Sequence, residues 1–347
     1  MPTIPMSTPS DSQHPPVRLA MVGLGPQGQE HLQAAHLAAN ATFVAAVDPS
    51  PSARQRTAER YPALAPHVFE HPKDLQGLAL DGLVLALPHH AYQHVWAELL
   101  AFGLPMLKEK PLARNLEEAI HFLQAAQQAR CPLQTAIQRR HHPSYRYCQQ
   151  AIRQGGEQVL EIHAHLHLGF APAGANADSS TWRNSRNQSG GGSLLDSGYH
   201  MVDLLHAIAG PFEWVASTLH TANALTPADG IEDRVRLWGR TEQTWVALDS
   251  WLHGEPDPSS KSGFKKSEGL SIQTDQNRWF VNRTGVWLNG QTQPVFETAT
   301  EWSLSMAAQL DEFATRIRTQ RWTAPDVWDQ LPSMRIIAQA YQQALHF

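Results

Sequence analysis

The sequence predicts an α/β protein in two parts: a doubly wound parallel sheet, then an α+β domain around an open, mainly antiparallel sheet. Apolar runs of strand length alternate with helix-length segments from Val17 to about residue 140, which is the pattern of βαβ units with right-handed crossovers. After residue 140, apolar and polar residues alternate with period two, as in antiparallel sheets with one solvated face. The length of 347 residues also fits two domains.

The composition argues against several classes of protein. The chain carries 27 Lys and Arg against 32 Asp and Glu, whereas a general nucleic-acid binder is usually basic. Its longest apolar runs, such as 83–87, are too short to span a membrane, and Cys131 and Cys148 cannot form a disulfide framework. Residues 1–16 are rich in Pro, Ser and Thr and lack Lys and Arg, so they are predicted to be a disordered tail rather than a targeting signal. We expect a cytoplasmic protein.

The first domain, residues 17–140, contains six predicted strands. They are nearly continuous apolar runs, which indicates burial on both faces, as in a parallel sheet. The strands span residues 17–23, 41–48, 67–70, 82–88, 105–111 and 132–138. Between them lie helical segments such as 27–40 and 115–130.

The second domain, residues 141–347, opens with an alternating strand at 157–169. One side of this strand carries Leu160, Ile162, Ala164, Leu166 and Leu168, and the other carries Glu161, His163, His165 and His167. Further strands are predicted at 213–222, 234–241, 244–253 and 278–290, a turn-rich loop at 254–263, and helices around 306–317 and at 327–345.

A glycine-rich turn links the first strand to the first helix, with the sequence Gly23-Leu24-Gly25-Pro26-Gln27-Gly28. In this context Gly23 allows a tight turn, Gly25 lets the backbone approach a pyrophosphate, and Gly28 lets helix and strand pack closely. The free N–H groups at the start of the helix then face the phosphates. The pattern predicts a Rossmann dinucleotide-binding domain, and its alternative is a purely structural turn.

Asp48 ends the second predicted strand, where a carboxylate can hydrogen-bond the 2′-OH of the adenosine ribose. It would repel a 2′-phosphate, and neither position 49 nor position 50 is an Arg that could compensate. The cofactor is therefore predicted to be NAD rather than NADP.

A second set of polar residues, Lys108, Glu109 and Lys110, ends the fifth predicted strand before Pro111. The ligand crevice of an open α/β sheet lies at this end of the strands. Strand alternation predicts Lys108 and Lys110 on one side and Glu109 on the other, and an ammonium here could stabilise an alkoxide that develops on a substrate. The alternative is a solvated charge at the sheet edge.

Three glycines, residues 190–192, precede a segment of helical periodicity that places Asp196, His200 and Asp203 on one face. Asp196 and His200 are i, i+4 neighbours on a helix, close enough to hydrogen-bond. A carboxylate paired with an imidazole fixes its tautomer and steadies the imidazolium, as a general base near neutral pH requires. A structural Asp–His pair is the alternative, but the triple glycine favours a functional one, because it is costly unless the backbone closely approaches another group.

These motifs, in this order and spacing, resemble the glucose–fructose oxidoreductase/inositol dehydrogenase (Gfo/Idh/MocA) family. The resemblance covers most of the chain after the tail and rests on the segments GLGPQGQEHL, KEKPLA, QRRHHPSY, Trp182-Arg183, GGGSLLDSGYHMVDLL, GIEDRVRLWGRTEQTWVALDSW and QLDEFATRIRTQ. It implies an N-terminal dinucleotide domain and a C-terminal domain whose open sheet commonly forms the oligomer interface. The reaction it implies is NAD(P)-dependent oxidation of a secondary alcohol, often on a sugar or cyclitol, or the reverse reduction.

The resemblance also implies roles for single residues. Lys110, Asp196 and His200 match the catalytic positions: His200 would take the hydroxyl proton, Asp196 would orient His200, and Lys110 would polarise the reacting oxygen. Contacts with the substrate are expected from Tyr145, Arg183 and His200. The predicted cofactor-binding residues are Gly23, Gly25, Pro26, Gln27, Gly28, Asp48, Pro88, Glu109 and Lys110.

The sequence departs from the family in two places. His89 and Tyr92 stand where the family often has Asn and His after Pro88, at the edge near the nicotinamide. His141 and His142 stand where an aromatic or acidic residue is more usual. Both departures leave the identity of the substrate open.

The 19 histidines do not indicate a metal site, because no group of them has a recognised ligand spacing with a carboxylate or thiolate. No metal is therefore predicted, and His163, His165 and His167 are assigned to a polar or interfacial sheet surface. The expected partners are a sugar-like small molecule and further copies of the chain, as a homodimer or homotetramer through the C-terminal sheet. Neither nucleic acid nor a membrane is expected.

Two other functions stay open on the same architecture. One is an NAD-dependent glycosidase that works by transient oxidation, elimination and re-reduction. The other is a non-catalytic, dinucleotide-sensing regulator. The set of Lys110, Asp196 and His200 argues against the regulator, because a sensor needs no base beside the nicotinamide.

Overall fold

The computed structural model describes residues 14–170, 181–221, 231–254, 256–260, 263–298, 302–322 and 330–346. Within these ranges the chain forms two sheets, one of six strands and one of nine. The predicted tail lies outside the described residues as far as residue 13. In the described ranges no helix combines the length and the apolar character needed to cross a membrane.

The first sheet is parallel throughout. Its strands are β1 (Val17–Val22), β2 (Ala41–Val47), β3 (Val68–Phe69), β4 (Gly82–Leu85), β5 (Met106–Glu109) and β6 (Leu133–Ala136), in the order β3-β2-β1-β4-β5-β6. The helices that accompany it are α1 (Pro26–Ala34), α2 (Pro51–Arg60), α3 (Tyr92–Leu100) and α4 (Leu116–Gln128). The chain order reverses between β1 and β4, and ligands of such sheets bind there, beyond the carboxyl ends of the strands. The predicted doubly wound sheet is confirmed.

Helix α1 ends at Ala34, although the periodicity predicts a helix to residue 40. Beyond Ala34 the chain turns, and the main-chain N–H groups of Ala39 and Asn40 donate to the carboxylate of Asp311, at 3.2 and 2.7 Å. Asp311 lies near the other end of the chain, so nothing in the local sequence reveals this contact.

The second sheet is mainly antiparallel, as predicted. Its strands are β7 (Val159–Phe170), β8 (Glu213–His220), β9 (Arg234–Arg240), β10 (Trp245–His253), β11 (Ser267–Thr274), β12 (Arg278–Val281), β13 (Gly285–Leu288), β14 (Phe296–Glu297) and β15 (Leu345–His346). They follow the order β14-β13-β12-β11-β7-β10-β9-β8-β15, in which β7 with β10 and β8 with β15 are the parallel pairs. On β7 the aliphatic side chains of Ile162, Ala164 and Leu166 are fully buried, as the alternation predicts. Leu160 is exposed instead, because the pairing with β11 shifts register there, and Leu168 is half-buried.

Two features of this sheet differ from the sequence prediction. The segment 278–290, predicted as one strand, is a hairpin of β12 and β13, because the Asn282 side chain accepts the main-chain N–H groups of Thr284 and Gly285 at 2.8 and 3.3 Å. Strand β11 is not predicted, because only Leu270 and Ile272 in it are buried aliphatic residues.

The remaining helices are α5 (Pro143–Gly155), α6 (Arg186–Ser189), α7 (Tyr199–Ala209), α8 (Trp302–Thr319) and α9 (Leu331–Gln343). Although α8 lies late in the chain, its Leu310 and Phe313 share a core with Met21 and Val84 of the first sheet. The C-terminal part of the chain thus covers one face of the N-terminal sheet, and the boundary at residue 140 stays a prediction. Residues 327–329 of the last predicted helix lie outside the described part.

Candidate functional site

The glycine-rich turn leaves space for a dinucleotide. A Cβ on Gly23 would lie 2.2 Å from the main-chain oxygen of Ala86, and one on Gly28 would lie 2.0 Å from that of Gly23. These two glycines bring strand, turn and helix together, whereas a Cβ on Gly25 would meet open space. Helix α1 begins at Pro26 without a side-chain cap, so N–H groups of its first turn stay available to an anion. The turn therefore fits the pyrophosphate of NAD.

Asp48 lies beside this turn. Its carboxylate accepts the main-chain N–H of Leu24 at 2.7 Å and that of Ser50 at 2.8 Å. A carboxylate offers about four acceptor positions, so the same group can also accept ribose hydroxyls. Gln27, in the first turn of α1, donates to Glu30 at 3.1 Å. The sequence does not reveal that Asp48 also fixes the shape of the turn.

Lys110 and Asp196 meet across the crevice between the two sheets. The ammonium of Lys110 donates to the carboxylate and to the main-chain oxygen of Asp196, both at 2.7 Å. The other carboxylate oxygen accepts Nε of Arg183 at 3.1 Å, and this guanidinium lies 4.3 Å from the ring centre of Trp182. Burial raises the pKa of Asp196, but Lys110 and Arg183 outweigh burial and hold that pKa well below its usual range. The carboxylate is therefore ionised and binds two cations.

The predicted hydrogen bond between Asp196 and His200 does not form in the described structure. Residues Ser193–Gly198 form a π-helical turn, and α7 starts only at Tyr199. The i→i+5 bonding of a π turn changes the register of Asp196 relative to α7, and its carboxylate is engaged by the two cations instead. The predicted hydrogen bond between Asp196 and His200 is therefore wrong, and an orienting role of Asp196 stays a prediction.

The glycines Gly190–Gly192 bring the protein's own groups close together. A Cβ on Gly190 would lie 2.3 Å from the main-chain oxygen of Arg114. One on Gly191 would lie 2.0 Å from the Tyr341 hydroxyl, and one on Gly192 would lie 2.0 Å from the main-chain oxygen of Glu232. The buried carboxylate of Glu232 accepts the N–H of Leu194 at 2.9 Å and the Tyr341 hydroxyl at 2.8 Å. The triple glycine is thus explained by internal packing and does not indicate a ligand.

His200 is buried in α7 beside the crevice, with 6% of its surface exposed. Its Nδ1 atom has no hydrogen-bond partner among the described residues, and its ring stands edge-on to that of Trp302, with 6.5 Å between centres. Burial, followed by the charges of Arg139 and Lys110, lowers the pKa of His200 well below its usual value, against the opposing charge of Asp196. The imidazole is therefore neutral at neutral pH and can accept a proton.

His89 and Tyr92, the residues after Pro88 that depart from the family, have separate roles. Nδ1 of His89 lies 2.7 Å from the main-chain oxygen of Ser189. Because a carbonyl only accepts, this nitrogen carries the proton and Nε2 is an acceptor. Burial lowers the pKa of His89 to about 3, so it stays neutral. The Tyr92 hydroxyl bonds main-chain atoms of Leu85 and Leu87, at 3.0 and 3.2 Å, and supports the loop after β4.

Lys108 and Glu109 are buried within the first domain. The ammonium of Lys108 donates to the main-chain oxygens of Glu109 and Pro111, at 3.1 and 2.8 Å, and lies 3.7 Å from the ring centre of Tyr92. The carboxylate of Glu109 lies 2.7 Å from Nε2 of the buried His31. The Lys108 side chain is thus buried and stabilises the end of β5, and it does not lie beside Lys110 in the crevice. The predicted contact of Glu109 with the cofactor stays a prediction.

A charged group that sequence reasoning misses lies next to Trp302. Glu268 on β11 accepts an N–H of Arg139 at 2.9 Å and lies 3.4 Å from Nε of Arg283. The hydroxyl of the buried Tyr145 donates to the same carboxylate at 3.3 Å, and its contact with a substrate stays a prediction. The guanidinium groups of Arg139 and Arg283 lie 5.0 and 5.2 Å from the ring centre of Trp302. The one sequence feature that pointed to this group is the position of Arg139, which follows β6 at the edge of the sheet where ligands bind.

Other polar residues of the two motifs support the junction between the sheets. His142 caps the start of α5, and His141 lies 3.3 Å from Glu312. Asp203 is fully buried and forms an ion pair with Arg140 at 2.6 Å, so it belongs to the scaffold. The described ranges contain no group of three or more His, Cys, Asp or Glu that could hold a metal ion, and the expectation that no metal is needed stays a prediction.

Two family models match the chain. Residues 17–137 match the model described as "Oxidoreductase family, NAD-binding Rossmann fold". Residues 145–250 match the model described as "GFO/IDH/MocA C-terminal domain". Together the two matches span more than half of the chain and include the turn at Gly23–Gly28, Lys110, Asp196 and His200.

Curated relatives and solved structures agree with these matches. One curated relative, from Amycolatopsis mediterranei (strain S699), is named provisionally as a UDP-kanosamine synthase oxidoreductase subunit. The chain is 34% identical to it over 197 residues, and this match covers 56% of this chain and 52% of that protein. It is 28% identical over 194 residues to the rhizopine catabolism protein MocA of Rhizobium meliloti, covering 56% and 57%. The chain thus spans about half the length of these curated relatives. A levoglucosan dehydrogenase solved with NADH and levoglucosan shares the fold, with a TM-score of 0.80 at 16% identity over 95% of this chain and 97% of that one.

Proposed function

This chain belongs to the Gfo/Idh/MocA oxidoreductase family, and we propose that it transfers a hydride between NAD and a secondary alcohol or ketone of a sugar- or cyclitol-like molecule. The observation that carries the proposal is that Lys110, which follows β5 at the carboxyl edge of the first sheet, binds Asp196 in the turn that leads into the helix of His200. Lys110 is bound to Asp196 at 2.7 Å, and His200 is a neutral imidazole. When bound, NAD supplies the carbon that accepts the hydride.

Oxidation of an alcohol requires the protein to accept a proton and to stabilise charge on the oxygen. His200 takes the hydroxyl proton, because its imidazole is neutral at neutral pH. An ammonium has three N–H donors, and Lys110 gives two of them to Asp196, so the third is available for the substrate oxygen. Asp196 holds Lys110 and Arg183 in place through its carboxylate and is therefore a positioning residue. In the reverse reaction, the reduction of a ketone, His200 returns the proton to the substrate oxygen.

The surroundings of Asp48 support NAD over NADP. Its carboxylate would repel a 2′-phosphate. Arg54, the first arginine after β2, donates to the main-chain oxygens of Asp48 and Pro49 at 2.8 and 2.9 Å and pairs with Glu70 at 3.1 Å. The cation that could offset the repulsion is thus already engaged within the protein.

The names of the relatives support a sugar-like substrate, because a kanosamine nucleotide and levoglucosan are both sugar derivatives. The His-rich face of the second sheet agrees with association of copies through that sheet. The homodimer or homotetramer and the cytoplasmic location stay predictions.

The test is absorbance at 340 nm while the purified protein and NAD are offered a panel of polyols, sugars and sugar derivatives. NADH should form with at least one secondary alcohol of this class, and the His200→Ala variant serves as the matched blank. Cleavage of a glycosidic bond with no net NADH would instead support the glycosidase. Binding of NAD with neither reaction across the panel would count against an enzyme and favour the regulator.

A further inference from the structure

We infer that the substrate carries an anionic group, a carboxylate or a phosphate, and that Arg139, Arg283 and Lys266 bind this group beside His200. The inference rests on the proposed function, since it concerns the substrate of the same crevice. It narrows the substrate class from sugar-like molecules in general to acidic or phosphorylated ones.

Cations outnumber carboxylates around Trp302. Arg139 and Arg283 share the single carboxylate of Glu268, at 2.9 and 3.4 Å. The Tyr145 hydroxyl uses another acceptor position of Glu268, at 3.3 Å. Two guanidinium groups held against one indole ring repel each other, and one carboxylate offsets only one of the two charges. An anionic ligand would offset the second.

Lys266 adds a third positive charge. It immediately precedes β11, two positions before Glu268 on the same segment. Burial and the charges of Arg283 and Arg139 lower the pKa of Lys266, and Glu268 opposes them, so Lys266 interacts electrostatically with these three groups. In the part of the chain that the structure describes, the ammonium of Lys266 forms no ion pair, so it is available to a ligand.

Arg139 carries a buried donor without a partner. Its side chain is 6% exposed, and its Nε is buried and makes no hydrogen bond within the described ranges. An unpaired donor of this kind costs free energy. Glu30, the other carboxylate near Lys266, already accepts hydrogen bonds from Gln27 and Trp302, so it does not serve Arg139.

The cations lie near the reaction centre and away from the pyrophosphate turn. Arg139 follows β6, which is three strands from β1 in the sheet, a separation of about 14 Å at the usual strand spacing. Trp302 contacts both guanidinium groups and also stands 6.5 Å from the ring of His200. An anion bound here therefore belongs to the molecule whose hydroxyl reaches His200. A sugar acid or a sugar phosphate has this arrangement of hydroxyl and anion.

The experiment compares three probes of similar shape: D-glucose, D-glucuronate and D-glucose 6-phosphate. Isothermal titration calorimetry measures their binding to the NAD-loaded protein, to Arg283→Gln and to Lys266→Gln. The matched control is Lys265→Gln, which removes the neighbouring lysine, whose charge acts on Asp257 instead. Thermal unfolding checks that every variant is folded, and NAD affinity is measured for each.

We expect one anionic probe to bind at least tenfold more tightly than glucose, and each crevice variant to lose most of that preference while Lys265→Gln keeps it. Glucuronate or glucose 6-phosphate as the tighter ligand identifies a carboxylate or a phosphate. Equal binding of all probes, no binding by either anion, or weakened NAD binding as the main defect of the variants would overturn the inference. Because binding is read without turnover, a failure here leaves hydride transfer to a neutral sugar intact, and a failure of turnover leaves the anion preference measurable.

Discussion

The ammonium of Lys110 lies 2.7 Å from the carboxylate of Asp196 and 2.7 Å from the main-chain oxygen of the same residue. The first residue follows β5 of the parallel sheet, and the second lies in the π-helical turn before α7. The contact therefore ties the cofactor-binding edge to the element that carries His200. It also orients the lysine, because two of its three donors are fixed.

This contact predicts an energetic coupling between Lys110 and Asp196 that is not shared by Asp196 and His200. In a double-mutant cycle on the free energy of unfolding, Lys110→Met and Asp196→Asn should couple by about 0.5–3 kcal/mol, the range for residues in contact. The cycle of Asp196→Asn with His200→Ala should show a clearly smaller coupling, because no hydrogen bond joins these two residues. Urea unfolding of the single and double variants measures both. A coupling with His200 as large as that with Lys110 would restore the direct Asp–His pair.

His200 provides the second prediction. The His200→Ala variant should bind NAD with nearly unchanged affinity but turn over about 100-fold more slowly or worse, the usual size of a general-base contribution. The matched control is His206→Ala, since His206 lies on the same helix but hydrogen-bonds Ser333 at 3.0 Å. Steady-state kinetics and NAD titration separate the two effects. Unimpaired turnover would remove His200 from the mechanism.

The buried environment of His200 also predicts the pH dependence of the reaction. Burial and the charges of Arg139 and Lys110 lower its pKa well below 6.5. A base must be unprotonated, so lowering this pKa extends activity toward acid. The plot of kcat/KM for alcohol oxidation against pH should therefore be flat through pH 6.5 and fall only at clearly lower pH. An acid limb centred at 6.5 or above would show that the working base is a solvated imidazole or another group.

Asp48 allows a test of cofactor choice that also separates its two roles. Asp48→Asn removes the charge but keeps an oxygen that can accept the N–H of Leu24, whereas Asp48→Ala removes both. The ratio of kcat/KM with NAD to that with NADP should fall at least tenfold in both variants, and the melting temperature should fall mainly in Asp48→Ala. Asp81→Asn is the control, because Asp81 accepts the N–H of Arg18 at 2.8 Å, at the opposite end of β1. An unchanged ratio would place specificity elsewhere.

The parts that the sequence predicts correctly depend on local patterns. The glycine turn at Gly23–Gly28 and the strands on either side of it follow from apolar runs and from glycines whose Cβ atoms would collide with backbone. The alternation in β7 also follows from period two alone. Each of these features needs only residues a few positions apart.

The parts that fail depend on contacts between distant segments. Asp196 is four residues from His200, but the π-helical turn and the charges of Lys110 and Arg183 decide where its carboxylate lies. The cation group around Glu268 depends on β11, whose two buried aliphatic residues are too weak a pattern to predict a strand. No local rule could have paired Glu268 with Arg139, 129 residues earlier.

Lys108 predicts how stability changes at alkaline pH. Burial lowers its pKa to about 7, although Glu118 and Glu109 oppose this. The unfolded chain keeps the ordinary value near 10.5, so between pH 7 and 10.5 the unfolded state binds a proton that the folded state has lost. The free energy of unfolding should therefore gain about 1.4 kcal/mol per pH unit from this residue as pH rises through that window, and nothing below it.

The test compares the wild type with Lys108→Met, which has a side chain of similar length but no titratable group. Urea unfolding at pH 7.5, 8.5 and 9.5 should show a slope of stability against pH that is steeper in the wild type by about 1 kcal/mol per unit. Lys265→Met, at an exposed position, should match the wild-type slope. Parallel curves for Lys108→Met and the wild type would mean that the Lys108 ammonium stays charged in the folded protein, held by the Tyr92 ring and the main-chain oxygens of Glu109 and Pro111.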